Sequence, residues 1–279
     1  LLAGGKLGSG GYRIATPLDI FVTEGEALAM SRAIIHIFRD HGSRENRTQV
    51  RLAFLLDEWG ESRFREEVET RVGKKLSLAG VDARKAVEKS HVGIYRQKQP
   101  GMNYVGLKVL VGRITHDDLA KIAALAEKYG TGEVRISPAQ ALIIPNVSDR
   151  KIGDLDREPL VKQFAYNPSP VYKGLVSCVG SDYCNLAVIE TKGRAVETAK
   201  ALEARLGSTL KPITMHWSGC PAGCGNHLVA DIGLLGKKAK VDGKVVDAVD
   251  IYVGGRSGPA PKLAVKIMED VPCDRLPMV

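Results

Sequence analysis

The chain is 279 residues long, 44% hydrophobic and 26% charged, with 40 Lys and Arg against 32 Asp and Glu and a formal net charge of +8 at pH 7. That length accommodates one large domain or two, the charge density is ordinary for a soluble globular protein, and no apolar run approaches the ~20 residues of a membrane span. The basic surplus could meet nucleic acid, anionic lipid or an acidic protein, but there is no run of five Lys or Arg and only eight Tyr and five Phe for base stacking, which argues against nucleic acid.

Residues 1–22 read as one or two strands with glycine-rich turns. Gly8-Ser9-Gly10-Gly11 is a turn rather than a phosphate loop, since no Lys-Ser/Thr follows and no helix opens there. Thr23 to Glu26 forms a capping box that starts a helix to about Arg39, with Ile34, Ile35 and Phe38 expected on one side and Gly42 at its end. Asn46 to Arg51 leads into the apolar run Leu52 to Leu56. A second helix is expected over about 61–72, stopped by Gly73. Residues 77–100 read as a linker. From Asn103, Val105, Leu107, Val109 and Val111 alternate as in a strand. Thr115 then caps a helix carrying Leu119, Ile122, Ala126 and Tyr129, closed by Gly130, and strands are expected at 133–137 and 141–147. This β-α-β-β order is half of a ferredoxin-like unit. A proline-bearing connector spans 150–172. Beyond it a short strand (175–178), a helix (193–206), further strands at 212–217, 228–235, 244–248 and 250–253, a hairpin at Asp242-Gly243 and a last helix near 261–268 indicate an α/β or α+β domain.

The chemistry concentrates in two cysteine pairs of this last region, Cys178 and Cys184 (C-x5-C), and Cys220 and Cys224 (C-x3-C). Zinc prefers tetrahedral sites of four thiolates, though the x5 gap is unusual for it. Disulfides belong to oxidising compartments and small chains, whereas this chain has five Cys in 279 residues and no visible signal peptide. An iron–sulfur cluster needs thiolates and close backbone amides, and Gly180, Gly219, Gly223 and Gly225 allow that approach, with Pro221 stiffening the second loop. Spacing favours a metal centre and leaves iron–sulfur and zinc open. His216 and His227 flank the second pair and read as structural, and Cys273 as a structural or free thiol.

C-x5-C followed about three dozen residues later by G-C-P-x-x-C-G resembles the cluster domain of sirohaem-containing sulfite and nitrite reductases. His216-Trp217-Ser218-Gly219-Cys220-Pro221, Val229 to Gly233, Lys173 to Val176 and Ile189-Glu190-Thr191-Lys192 resemble the ferredoxin-dependent nitrite reductases within that family. The resemblance covers nearly the whole chain and implies an α+β fold: a ferredoxin-like half-domain plus a sirohaem/iron–sulfur α/β domain, as a fragment of a pseudo-twofold, two-half architecture. Residues 1–96 would close the first half, 97–165 form the half-domain and 166–279 bind the cofactors. It further implies that Cys178, Cys184, Cys220 and Cys224 bind a 4Fe–4S cluster and that Cys224 bridges it to the sirohaem iron. Arg47, Arg51 and Arg135 are candidates for the sirohaem carboxylates, against the alternative that they are solvated surface charges. The implied reaction is six-electron reduction of nitrite to ammonia, fed by reduced ferredoxin, an acidic partner that the basic surplus suits. Sulfite reduction with the same cofactors and a non-catalytic zinc module are the alternatives. A cytoplasmic monomer is expected, or a plastid one in a plant or alga. The chain opens Leu1-Leu2-Ala3 without Met and reads as a segment of a longer chain, with processing as the alternative. The substrate-binding residues are expected in the half preceding it, so the segment alone is not expected to reduce nitrite.

Overall fold

The computed structural model of the chain describes residues 1–8, 11–82, 90–207 and 211–279. Ser9 and Gly10 of the turn expected at Gly8 to Gly11, and part of the 77–100 linker, fall outside them, while the Gly11 N–H donates to the Gly8 carbonyl at 3.1 Å. Contacts divide the chain into two units, Leu1–Ala86 with Gly258–Leu263, and Val87–Ser257 with Ala264–Val279.

In the first unit, β1 (Leu2–Ala3) pairs antiparallel with β2 (Thr16–Pro17). The Glu26 carboxylate accepts from the Thr23 N–H at 3.0 Å and from its hydroxyl, and α1 (Ala27–His41) follows a 3-10 turn there. Helical spacing puts Met30, Ala33 and Ile37 inside. Ile35, expected beside Ile34 and Phe38, is instead turned outward and 64% exposed. Gly42 ends α1 with extended backbone, and what demands glycine is space, because a Cβ would lie 2.5 Å from the Phe38 ring. The apolar run and the second expected helix merge into α2 (Leu52–Val72), kinked at Gly60 (φ 73°) and closed by Gly73 in the left-handed region (φ 78°). Ile20, Ile37, Phe64 and Val68 are fully buried at its core.

The second unit holds two sheets. β3 (Gly93–Arg96), β4 (Met102–Lys108), β5 (Arg135–Ser137) and β6 (Ala141–Ser148) form an antiparallel sheet in the order β3-β4-β6-β5. β3 arises inside the stretch read as a linker: Ile94 and Tyr95 pair with Val105 and Tyr104. α3 (His116–Tyr129) packs Ile122, Leu125 and Ala126 into the core with Val105, Leu107 and Ile144, while Leu119 stays 46% exposed. Its cap is the Thr115 hydroxyl, accepting from the Asp118 N–H at 3.1 Å. The connector folds into three short helices, α4 (Ile152–Asp156), α5 (Pro159–Gln163) and α6 (Pro170–Gly174), two of them opening on proline.

The other sheet runs β11-β10-β9-β8-β7, from β7 (Leu175–Ser177), β8 (Met215–Ser218), β9 (Ile232–Val241), β10 (Lys244–Val253) and β11 (Val265–Pro272). β7, β8 and β9 are parallel neighbours, whereas β9, β10 and β11 are antiparallel. Asp242 and Gly243 both adopt positive φ in the β9–β10 hairpin, as a tight primed turn requires. β11 stands where a helix was expected, because Val265 and Met268 pair across to Val253 and Ile251. The helix α7 (Lys192–Leu206) lays Ala195 and Ala199 against Leu175, Met215, Trp217 and Leu234.

Candidate metal centre

Strand direction brings the cysteine loops together. Ser177 of β7 lies opposite Trp217 of β8, so both loops leave the carboxyl ends of adjacent parallel strands, where open α/β sheets build their sites. Cys178 is the first residue past β7, and its N–H donates to the Trp217 carbonyl at 2.9 Å. Its sulfur accepts the Gly219 N–H at 3.1 Å, and the Val188 N–H donates to the Gly219 carbonyl at 2.9 Å, so the loops are cross-tied twice.

Each loop is also closed on itself. In the first, Gly180 at φ 70° turns the chain so that its carbonyl accepts the Cys184 N–H at 3.1 Å, and a Cβ there would lie 2.6 Å from the Thr191 hydroxyl. In the second, the Gly223 N–H donates to the Cys220 carbonyl at 3.1 Å and the Asn226 N–H to that of Gly223 at 2.8 Å. Buried Ser218 brackets this loop. Its hydroxyl accepts the Gly225 N–H at 3.1 Å and lies 2.9 Å from Nδ1 of His227. Burial first, then nearby His216, pushes the His227 pKa down to about 4, so the ring is neutral and hydrogen-bonds the Ser218 hydroxyl through Nδ1. Both histidines are held structurally, His216 through a 3.3 Å contact between Nδ1 and the Asn226 carbonyl.

Cys178, Cys184, Cys220 and Cys224 are free thiols, the first three half-buried and Cys224 exposed. Among the described residues, no three His, Cys, Asp or Glu side chains gather closely enough to hold a single metal ion. A tetrahedral zinc would need sulfurs about 3.8 Å apart, given Zn–S near 2.3 Å. A four-iron cubane has an iron for each thiolate and spreads them wider. An amide already aimed at the Cys178 sulfur and backbone close-packed through glycine suit such a cluster.

The three candidate arginines are all exposed. Arg47 is exposed on a 3-10 turn (Arg47–Gln49) capped by Asn46, whose Oδ1 accepts the Thr48 N–H at 3.0 Å. Arg51 is exposed at the start of α2 and donates to the Val50 carbonyl at 2.7 Å. Both belong to the first unit and the four cysteines to the second. Arg135 is exposed on edge strand β5, ion-paired with Glu133 at 2.6 Å. Cys273 is buried, and desolvation pushes its thiol up to about 11, that of an inert core residue.

Motif reading missed the groups that brace the site from the half-domain. β7 is an edge strand, yet the Gln140 side chain pairs with it like a neighbouring peptide: Nε2 donates to the Ser177 carbonyl at 2.6 Å and Oε1 accepts the Ser177 N–H at 3.1 Å. Buried Lys108 donates to the Leu175 carbonyl at 2.8 Å and that of Ala139 at 2.7 Å. Arg113 pairs with Asp182 of the first loop. The positive φ of Gln140 (56°) is invisible in the sequence, so no local signal announces these contacts.

Residues 1–76 match the nitrite and sulphite reductase 4Fe-4S domain family, and residues 95–161 the nitrite/sulfite reductase ferredoxin-like half domain family. The chain belongs to the nitrite and sulphite reductase family. Among its relatives, the ferredoxin–nitrite reductase of Synechococcus elongatus is 44% identical over 99% of this chain and 54% of its own length. The chloroplastic ferredoxin–nitrite reductase of Zea mays is 41% identical over 100% of this chain and 50% of its own length. The solved structure of Mycobacterium tuberculosis NirA protein superposes with a TM-score of 0.91 at 30% identity, covering 99% of this chain and 52% of that one. The chain spans about half the length of the curated relatives it matches. The stretch that matches the 4Fe-4S domain carries no cysteine, and all five cysteines of this chain lie beyond it.

Proposed function

We propose that the protein reduces nitrite to ammonia with electrons from reduced ferredoxin, at a 4Fe–4S cluster coupled to a sirohaem. In this reading Cys178, Cys184, Cys220 and Cys224 hold the cluster. Cys224, the exposed one, would be the donor shared with the sirohaem iron. Arg47, Arg51 and Arg135 supply guanidinium groups for the tetrapyrrole carboxylates. When bound, the two cofactors store and deliver single electrons to a small oxyanion. This chain's backbone amides and glycine-shaped loops position the four cysteines. The net charge of +8 suits an acidic electron donor. The protein is read as a monomer of the cytoplasm, or of the plastid in a plant or alga; among the described residues no helix is long and apolar enough to cross a membrane.

The carrying observation is the pair of cysteine loops at the ends of adjacent parallel strands, with the Gly219 amide on the Cys178 sulfur. Sulfite reduction is the second reading, because the matched family embraces both anions. The test uses the full-length protein: an absorption spectrum, iron and labile sulfide per chain, and steady-state rates on nitrite and sulfite. Four cluster irons with labile sulfide, a tetrapyrrole band and a higher kcat/KM on nitrite are expected. A colourless, zinc-loaded protein would sink the cluster reading, and faster turnover of sulfite would reassign the substrate.

A further inference from the structure

The stretch Ile189-Glu190-Thr191-Lys192 lies between the two cysteine loops, and its polar side chains serve three different partners. The Glu190 carboxylate accepts the Gly193 N–H at 2.8 Å and the Arg194 N–H at 3.2 Å, capping α7. Thr191 is fully buried. Its hydroxyl donates to the Cys178 carbonyl at 2.9 Å and lies 3.8 Å from the Cys178 sulfur. The same side chain backs a glycine of each loop: a Cβ at Gly180 would come within 2.6 Å of Oγ1, and one at Gly219 within 3.2 Å of Cγ2.

Lys192 is 7% exposed, and its ammonium donates to the carbonyl of Val111, a residue of the 3-10 turn after β4. That turn holds Val111 at φ 49°, a conformation costly for a β-branched residue. Neighbouring Arg113 is matched by Asp182 and, at 3.8 Å, by Glu190. Lys192 instead rests on a neutral carbonyl, so its charge is solvated by a dipole and its field reaches the loop. Desolvation, then Arg113, lowers its pKa, and Cys178 is the first of the groups that oppose this.

We propose that Thr191 and Lys192 together set the reduction potential of the cluster through its ligand Cys178, Thr191 as a positioning residue and Lys192 as a buried cation. The inference rests on the four-cysteine cluster reading above. Adding an electron makes the cluster and its thiolates more negative, and a nearby cation in a medium of low dielectric favours that state. Thr191 acts by geometry. While its hydroxyl grips the Cys178 carbonyl, the sulfur stays on the Gly219 N–H, and a hydrogen bond to sulfur also favours the reduced form. Because Lys192 is anchored on Val111, the half-domain takes part in setting the potential.

The test is a redox titration of the full-length protein, followed by the electron paramagnetic resonance signal of the reduced cluster, with iron and labile sulfide counted on the same samples. Thr191→Val and Lys192→Met are each expected to lower the potential at full iron content, while Thr191→Ser and Lys192→Arg return it to the wild-type value. A Lys192→Met protein that loses iron while Lys192→Arg keeps both iron and potential supports the role of the charge. Unchanged potentials in Thr191→Val and Lys192→Met at full iron would overturn the proposal. Equal loss of iron in Thr191→Val and Thr191→Ser would overturn the part assigned to the hydroxyl. Wild-type protein without iron and sulfide would instead remove the cluster reading beneath it.

Discussion

Gly219 and Cys178 meet through an amide nitrogen held 3.1 Å from a sulfur, 41 residues apart in sequence. Gly219 has little room to spare: an added Cβ would lie 3.2 Å from Ala187 Cβ, 3.2 Å from Thr191 Cγ2 and 3.3 Å from the Ile189 carbonyl. Gly219→Ala therefore pushes the loops apart by a few tenths of an ångström, at an overpacking cost of about 1–3 kcal/mol. Gly225 is tighter, because a Cβ there would fall 2.0 Å from the Trp217 carbonyl, which is backbone and cannot yield. Iron and labile sulfide per chain should drop partly in Gly219→Ala and almost wholly in Gly225→Ala. Equal iron in both would show that the loop tolerates a side chain where the geometry denies it room.

The Gln140 amide stands in for a missing strand along β7. Gln140→Leu leaves the Ser177 N–H and carbonyl without these partners, and a buried polar group left unpaired costs about 1–3 kcal/mol. Gln140→Glu keeps the acceptor for the Ser177 N–H but loses the donor for its carbonyl. Urea midpoints are expected to fall in the order wild type, Gln140→Glu, Gln140→Leu. An unchanged midpoint for Gln140→Leu would mean that water or another group satisfies Ser177.

The cysteine loops were legible because thiols and glycines at fixed spacing have few uses, and the half-domain was legible because its strands alternate and its helix carries a cap. What failed was local reading where tertiary pairing decides. Val265 to Met268 carries no helical stop signal, and the pairing that makes it a strand comes from β10, more than ten residues earlier. Ile94 and Tyr95 sit among breakers and become a strand because Val105 and Tyr104 offer an open edge. Glu190, Thr191 and Lys192 could be recognised as a motif, but their three separate roles depend on contacts with residues 111, 178 and 193 that no spacing encodes.

Lys108 makes stability depend on alkaline pH. Burial pushes its ammonium down to about 8, below its ordinary 10.5, although two carbonyls receive its hydrogens. Above pH 8 the unfolded chain therefore holds the proton more tightly than the folded one, so the penalty of burying the charge is complete below pH 8 and eases as pH rises. The Cys273 thiol, raised from 9.0 to about 11, works the other way above pH 9, since the unfolded thiol ionises first. Between pH 7.5 and 9 the wild-type urea midpoint should rise, and Lys108→Met should lack that rise. Parallel curves would mean that the lysine is not the titrating group.

His227 gives the opposite, acid-side signature. Its ring is fully buried against Tyr252, with centroids 5.3 Å apart, and its Nδ1 faces the Ser218 hydroxyl. The folded value of about 4 lies below the ordinary 6.5. Between those values the unfolded chain binds a proton that the folded chain refuses, so stability is full above about 6.5 and is lost as pH falls toward 4, by up to about 3 kcal/mol. The Ser218–His227 bracket spans the loop that carries Cys220 and Cys224, so this loss falls on that loop. His227→Asn keeps an amide able to hydrogen-bond the Ser218 hydroxyl but does not titrate. Comparing urea midpoints at pH 7.5 and pH 5 should therefore give a large fall for wild type and a smaller one for His227→Asn. Ser218→Ala should lower both midpoints, because it leaves the Gly225 N–H without its acceptor. An equal acid fall in wild type and His227→Asn would place the proton uptake on another group and remove the bracket from the account of acid sensitivity.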